Sequence, residues 1–125
     1  MEAKVVLIVD DSADNRSVYE VILTHAGYTV LEARHGAEGV ALPREYRPDL
    51  VVMDIHIPVL DGWGATQQIK AAPETADIPV LAVTADSAVQ QANSRVQETG
   101  FCGWLQKPCP PTVLLEEVRS RIGAP

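Results

Sequence analysis

Three short apolar runs constrain this chain most: Val5-Val6-Leu7-Ile8-Val9, Leu50-Val51-Val52-Met53 and Val80-Leu81-Ala82-Val83. Each is too short for a core helix and lacks polar alternation, which is the pattern of a strand buried on both faces of a sheet. Asp10 and Asp11 close the first run and Asp54 the second. If the first two strands are neighbours in one parallel sheet, three acids meet at its C-terminal edge, where open α/β sheets bind ligands. Like charges about 4 Å apart repel by roughly 4 kcal/mol at an effective dielectric near 20, so such a cluster implies a compensating cation. Oxygen donors favour Mg2+ over zinc.

The segments between the runs read as helices. Ser12 can cap a helix over 13–26, with Val18, Val21, Ile22 and His25 on a shared stripe and Gly27 as its stop. Tyr28 to Ala33 reads as a second strand and Gly36 to Tyr46 as a second helix, kinked at Pro43 and ended before Arg47-Pro48. The third strand covers Asp49 to Asp54; a loop with Pro58 and Asp61-Gly62 leads to a helix through Ala71, and Pro73 to Pro79 connects to the fourth strand, Val80 to Thr84. Ser87 can cap a fourth helix to Thr99, Trp104 to Gln106 is a short fifth strand, and Pro110-Pro111 suit the first turn of a last helix. Its stripe is Val113, Leu114, Val118 and Ile122. Five strands alternating with five helices require right-handed crossovers, a parallel sheet and helices on both faces: a doubly wound α/β fold.

At 125 residues the chain has the size of one domain. A net charge of −7 with ten scattered basic residues excludes a nucleic-acid or anionic-membrane surface and leaves proteins and cations as partners. No apolar run is long enough for a signal-peptide core, which sets the expected location in the cytoplasm. Cys102 and Cys109 fit no CxxC pattern and are expected as reduced thiols; His25, His35 and His56 lack metal-site spacing and are expected as polar surface or loop residues.

The fourth and fifth strands bring two more groups to the same edge, Thr84 and Lys107. A carboxylate nucleophile, a metal site, a hydroxyl and an ammonium are the parts needed to transfer a phosphoryl group onto aspartate. Each has a local explanation when taken alone: a strand-end Asp can cap a helix, a Thr can be a β-branched strand residue, a Lys can be a solvated charge. Five at matching strand ends need one common explanation.

These residues, within Val9-Asp10-Asp11-Ser12, Asp54-Ile55-His56-Ile57-Pro58-Val59-Leu60-Asp61-Gly62, Val83-Thr84-Ala85 and Lys107-Pro108, resemble the receiver domains of two-component response regulators, from Val5 to about Ile122. The resemblance implies a (βα)5 flavodoxin-like fold with strand order 2-1-3-4-5, an order the family exemplifies. It implies that Asp54 accepts a phosphoryl group from a histidine kinase or histidine phosphotransfer protein. Asp10, Asp11, Asp54 and the His56 backbone carbonyl would hold Mg2+, and Lys107 would pair with the phosphoryl oxygens. Thr84 would bond one of those oxygens, Trp104 would be the switch aromatic that packs inward, and the 87–122 face would signal to a downstream protein. Val89 and Val96 on that face are expected to point inward. The resemblance further implies a cis Lys107-Pro108 bond.

The chain departs from the family at Trp104, where tyrosine or phenylalanine is usual and a larger ring opposes a full inward flip. It departs again at Ile57, a packing change only, and at Cys109-Pro110-Pro111, an unusual start for the last helix. His56 and Asp86 lie where side chains influence water attack on an aspartyl phosphate. The expected protein is a single receiver domain over 1–125, core about 4–122, without an output domain, acting as a phosphoacceptor rather than a classical enzyme. It is expected as a monomer, with phosphorylation-dependent dimerisation open. A receiver from a hybrid kinase and a phosphate sink are the alternatives. A haloacid-dehalogenase-type phosphatase would need a second acid two residues after its nucleophile, and His56 stands there; a pseudo-receiver usually lacks one of the five groups. Gly62-Trp63-Gly64 is not a nucleotide loop, because Gln67 replaces the third glycine.

Overall fold

The computed structural model describes residues 3–85 and 93–125. The strands are β1 (Val5–Val9), β2 (Thr29–Ala33), β3 (Leu50–Asp54), β4 (Val80–Thr84) and β5 (Gly103–Gln106). They alternate with α1 (Ala13–Ala26), α2 (Gly36–Tyr46), α3 (Gly62–Ala71), α4 (Asn93–Thr99) and α5 (Pro111–Ile122). The sheet is parallel throughout, in the expected order β2-β1-β3-β4-β5. The expected cap Ser87, Val89 and Asp86 lie outside the described residues.

Alternation along each strand divides the core into two layers. Leu7, Val9, Val51, Met53, Val80 and Ala82 face α2, α3 and α4, whose Val40, Trp63, Ile69 and Val96 cover them. Val6, Ile8, Leu50, Val52, Leu81 and Val83 face α1 and α5, through Tyr19, Leu23, Leu114 and Val118. β1, β3 and β4 are therefore buried on both sides, as their unbroken apolar sequences require.

Local signals act as read at several ends. The Ser12 hydroxyl accepts the Asn15 N–H at 3.2 Å, and Gly27 ends α1 at φ 110°. Pro43 lies inside α2, which continues to Tyr46, although proline supplies no N–H to the Gly39 carbonyl. His35 is more than a surface residue: its Nδ1 accepts the Glu38 N–H at 3.3 Å, capping α2, while Glu38 accepts the Arg34 N–H at 3.1 Å. His25 and His56 are exposed. α5 starts with Pro110 as its N-cap and no side-chain capping bond, and Lys107-Pro108 is cis. Both cysteines are free thiols.

Two helix faces are corrected. Val18 and Val21 are 49% and 61% exposed, and His25 is exposed as well; Tyr19 and Leu23 are the buried residues, with Ile22 and Ala26 packed beside them. On α5, Val113 is 42% exposed and Leu115 packs inward with Leu114, Val118 and Ile122. In both helices two apolar stripes about one position apart satisfy helical spacing, and the docking angle on the sheet chooses between them. Val96 is buried as expected. Among the described residues, no helix is long and apolar enough to cross a membrane.

Candidate functional site

Asp10 follows the last residue of β1 and Asp54 is the last residue of β3. The pairing of these strands in register, Val9 opposite Met53, carries both carboxylates to one edge. Both are buried, at 3% and 6% exposure, whereas Asp11, one residue farther along, is exposed. A carboxylate oxygen from each of the three lies within 4.8 Å of the others.

Lys107 arrives from the end of β5, where its N–H continues the ladder to the Thr84 carbonyl at 2.8 Å. Its Nζ sits 2.8 Å from Asp10 Oδ2 and 3.1 Å from Asp54 Oδ2. The remaining oxygens are held by backbone: the Ser12 N–H donates to Asp10 Oδ1 at 2.8 Å, and the His56 N–H to Asp54 Oδ1 at 3.1 Å. Burial raises the Asp54 carboxyl above its ordinary range, against the opposing pull of Lys107. Burial by itself would lower the Lys107 ammonium, but its bond to Asp10 and the charges of both aspartates outweigh that and raise it. Thr84 is fully buried at the end of β4, and Trp104 is half-buried against the α2–α3–α4 layer of the core.

The loop after β3 is closely fitted. Gly62 donates to the Ile55 carbonyl at 2.8 Å, and a Cβ at Gly62 would lie 2.5 Å from the Asp54 carbonyl oxygen, so the start of α3 seats directly behind the aspartate. Leu60 N–H bonds to the Pro58 carbonyl at 2.9 Å around Val59, which is held at φ 71° and is 80% exposed. A β-branched residue with positive φ is strained, and such strain gathers at functional loops.

The five groups inferred from strand ends thus converge on one edge. Three residues with supporting parts went unread in the sequence. Arg16 donates to the Asp10 carbonyl at 2.7 Å and pairs with Glu32 at 3.2 Å. Ser12, read only as a cap, also holds Asp10 through its backbone. The Tyr19 hydroxyl donates to the Cys109 carbonyl at 3.3 Å, tying α1 to the turn after Lys107. Arg16 lies one turn beyond the Ser12 cap, which was the available signal. Beside Lys107 a cleft of about 390 Å³ opens, its lining including Asn15, Val18, Tyr19, Pro108 and Pro111.

Buried carboxylates that share one ammonium, and an exposed third acid beside them, form an all-oxygen donor set open to solvent. That suits a hard divalent cation that keeps part of its water shell. The remaining groups suit an anionic substrate.

Comparison with known proteins agrees with this chemistry. The family model for the response regulator receiver domain matches residues 6–119. The polar-differentiation response regulator DivK of Brucella anthropi is 34% identical over 120 residues, covering 96% of this chain and 97% of its own. Among solved structures, chemotaxis protein CheY4 of Vibrio cholerae superposes with a TM-score of 0.88 at 28% identity, covering 96% of this chain and 99% of that one. The receiver domain of a sensor histidine kinase from Pseudomonas aeruginosa, with a magnesium ion coordinated in its active-site cleft, gives 0.86 at 31% identity, covering 98% and 100%. The chain therefore belongs to the response regulator receiver domain family of two-component systems.

Proposed function

We propose that Asp54 is the phosphoacceptor, taking a phosphoryl group from the phosphohistidine of a histidine kinase or histidine phosphotransfer protein. The observation that carries this reading is the approach of Lys107 Nζ to within 3.1 Å of a buried Asp54 whose carboxylate lies in a three-acid cluster. Asp10, Asp11, Asp54 and the His56 carbonyl are the ligands assigned to Mg2+, which would offset charge on the phosphoryl oxygens and help align the group. An Asp54 carboxylate oxygen forms the new P–O bond as the P–N bond to the donor imidazole breaks. Lys107 then moves its charge from carboxylate to phosphoryl oxygen, and Thr84, at the adjacent strand end, donates its hydroxyl to another.

Phosphorylation adds acceptor oxygens that are present only in the modified state, so the Thr84 contact biases the 87–122 face and the Trp104 ring toward a second arrangement read by a downstream protein. The exposed Val18 lines the cleft beside Lys107 and Val21 is exposed on the same helix, and we assign the phosphodonor protein to this apolar surface. Because histidine kinases draw on ATP, this reading sets the chain in the cytoplasm. Exposed His56, two residues beyond the acceptor, is assigned to controlling water access and hence phosphate lifetime.

Incubation with acetyl phosphate and Mg2+, followed by mapping of the modified residue by mass spectrometry, tests the reading. A single label on Asp54, lost in Asp54→Asn and without Mg2+, supports it. No label under strong phosphodonor refutes it, and turnover of small phosphomonoesters would favour a phosphatase instead.

A further inference from the structure

We infer that Gly36 is a positioning residue for the metal and phosphoryl site, although β2 and α2 contribute no group to that site. The inference rests on the Mg2+ reading above and extends it to a residue that follows the outer strand β2.

The first turn of α2 seats beneath the loop that follows Asp54. A Cβ at Gly36 would overlap the Leu60 carbonyl oxygen, lying 2.7 Å from the Leu60 carbonyl carbon and 2.9 Å from its Cβ. Real Cβ atoms essentially never come within 3.0 Å of such neighbours. The obstacle is backbone, so no rotamer change relieves it. Nor does α2 have room to retreat. One turn farther on, a Cβ at Gly39 would lie 3.1 Å from a Val9 methyl and 3.4 Å from Met53 Cε, so the helix already rests on the sheet. The His35 cap and the Arg34–Glu38 bonds hold its first turn in place.

Leu60 is gripped from the other side as well. A Cβ at Gly64 of α3 would lie 2.8 Å from Leu60 Cδ1, the far end of a flexible side chain. Gly36 therefore sets the height of the Leu60 backbone, while Gly64 leaves room for the end of its side chain. Leu60 in turn closes the tight turn back to Pro58 at 2.9 Å, and the loop it ends begins at His56, whose N–H holds Asp54 Oδ1 and whose carbonyl is assigned to the cation. A side chain at Gly36 pushes Leu60 outward and carries the loop with it, displacing a ligand while leaving the three acids in place. Without that overlap, alanine in the first turn of α2 would stabilise the helix relative to glycine.

The test is Mg2+ binding by isothermal titration calorimetry on the whole chain, with urea unfolding of the same proteins. Gly36→Ala is expected to weaken Mg2+ at least about tenfold, the lower range for loss of support around a metal ligand. Gly64→Ala, which meets only the movable end of the Leu60 side chain, is expected to retain the fold and to bind Mg2+ like the parent. If Gly36→Ala does not fold, its titration is made in trimethylamine N-oxide, which favours the compact state. Gly39→Ala is the control: it lowers stability and leaves Mg2+ affinity unchanged. Parent-like affinity in Gly36→Ala, alongside a clear loss in Asp11→Asn, overturns the inference. If Asp11→Asn also binds like the parent, the metal reading itself falls and this inference falls with it.

Discussion

The guanidinium of Arg95 lies over the ring of Trp63, 4.2 Å from its centroid, joining α4 to the first turn of α3. Trp63 also meets Phe101 edge to face at 5.5 Å, so the indole is held between a cation and a second ring. Cation–π contacts at exposed sites are worth about 0.5–1 kcal/mol, and Arg95→Ala is expected to lose that amount in urea unfolding and to shift Trp63 emission. Unchanged stability and emission would show that the stacking is energetically idle.

Thr66 of α3 is fully buried, and its hydroxyl has no hydrogen-bond partner among the described residues. Burying an unpaired hydroxyl costs about 1–3 kcal/mol, so Thr66→Val, of nearly the same shape, is expected to stabilise the protein by about 1 kcal/mol. Denaturant unfolding at constant m-value checks this. A destabilised variant would mean that the hydroxyl is satisfied in solution.

Lys107 is the ammonium shared by Asp10 and Asp54, and its side chain is only 16% exposed. Removing one partner of a fully buried ion pair costs about 3–5 kcal/mol, and this partly open site should fall somewhat below that range in Lys107→Met. Because a divalent ion can take over the compensation, the deficit is expected to shrink as Mg2+ is added. Thermal melts with and without Mg2+ read both effects; an equal deficit in the two conditions would separate Lys107 from the acidic cluster.

Val18, which lines the cleft next to Lys107, and Val21 are both exposed on α1. Val18→Glu and Val21→Glu are expected to leave acetyl phosphate labelling of Asp54 unaltered, because neither residue touches the acceptor. Transfer from a phosphohistidine protein is expected to slow about tenfold or more, the effect of 1.4 kcal/mol at an interface. Equal transfer rates in variant and parent would move the docking surface elsewhere.

The strand-end groups were legible before folding because a strand buried on both faces must be apolar along its length, and its first polar residue marks the sheet edge. Asp10, Asp54 and Thr84 each follow or finish such a run, whereas Lys107 follows the polar Gln106 that ends the partly buried edge strand β5. Helix faces were less legible. Val18 and Tyr19, or Val113 and Leu115, serve equally as members of an apolar stripe, and only the packing angle on the sheet decided that Tyr19 and Leu115 go in.

By itself, then, the sequence determined the alternation of strands and helices, the parallel sheet and the chemical types gathered at its edge, because hydrophobic periodicity and chain chirality act locally. Tertiary structure alone decided that Lys107 spans Asp10 and Asp54, that Arg16 and Tyr19 buttress the site, and that Gly36 lies against Leu60. Those contacts join residues distant in the chain, and their distances depend on how the helices settle on a twisted sheet, which no spacing along a single segment encodes.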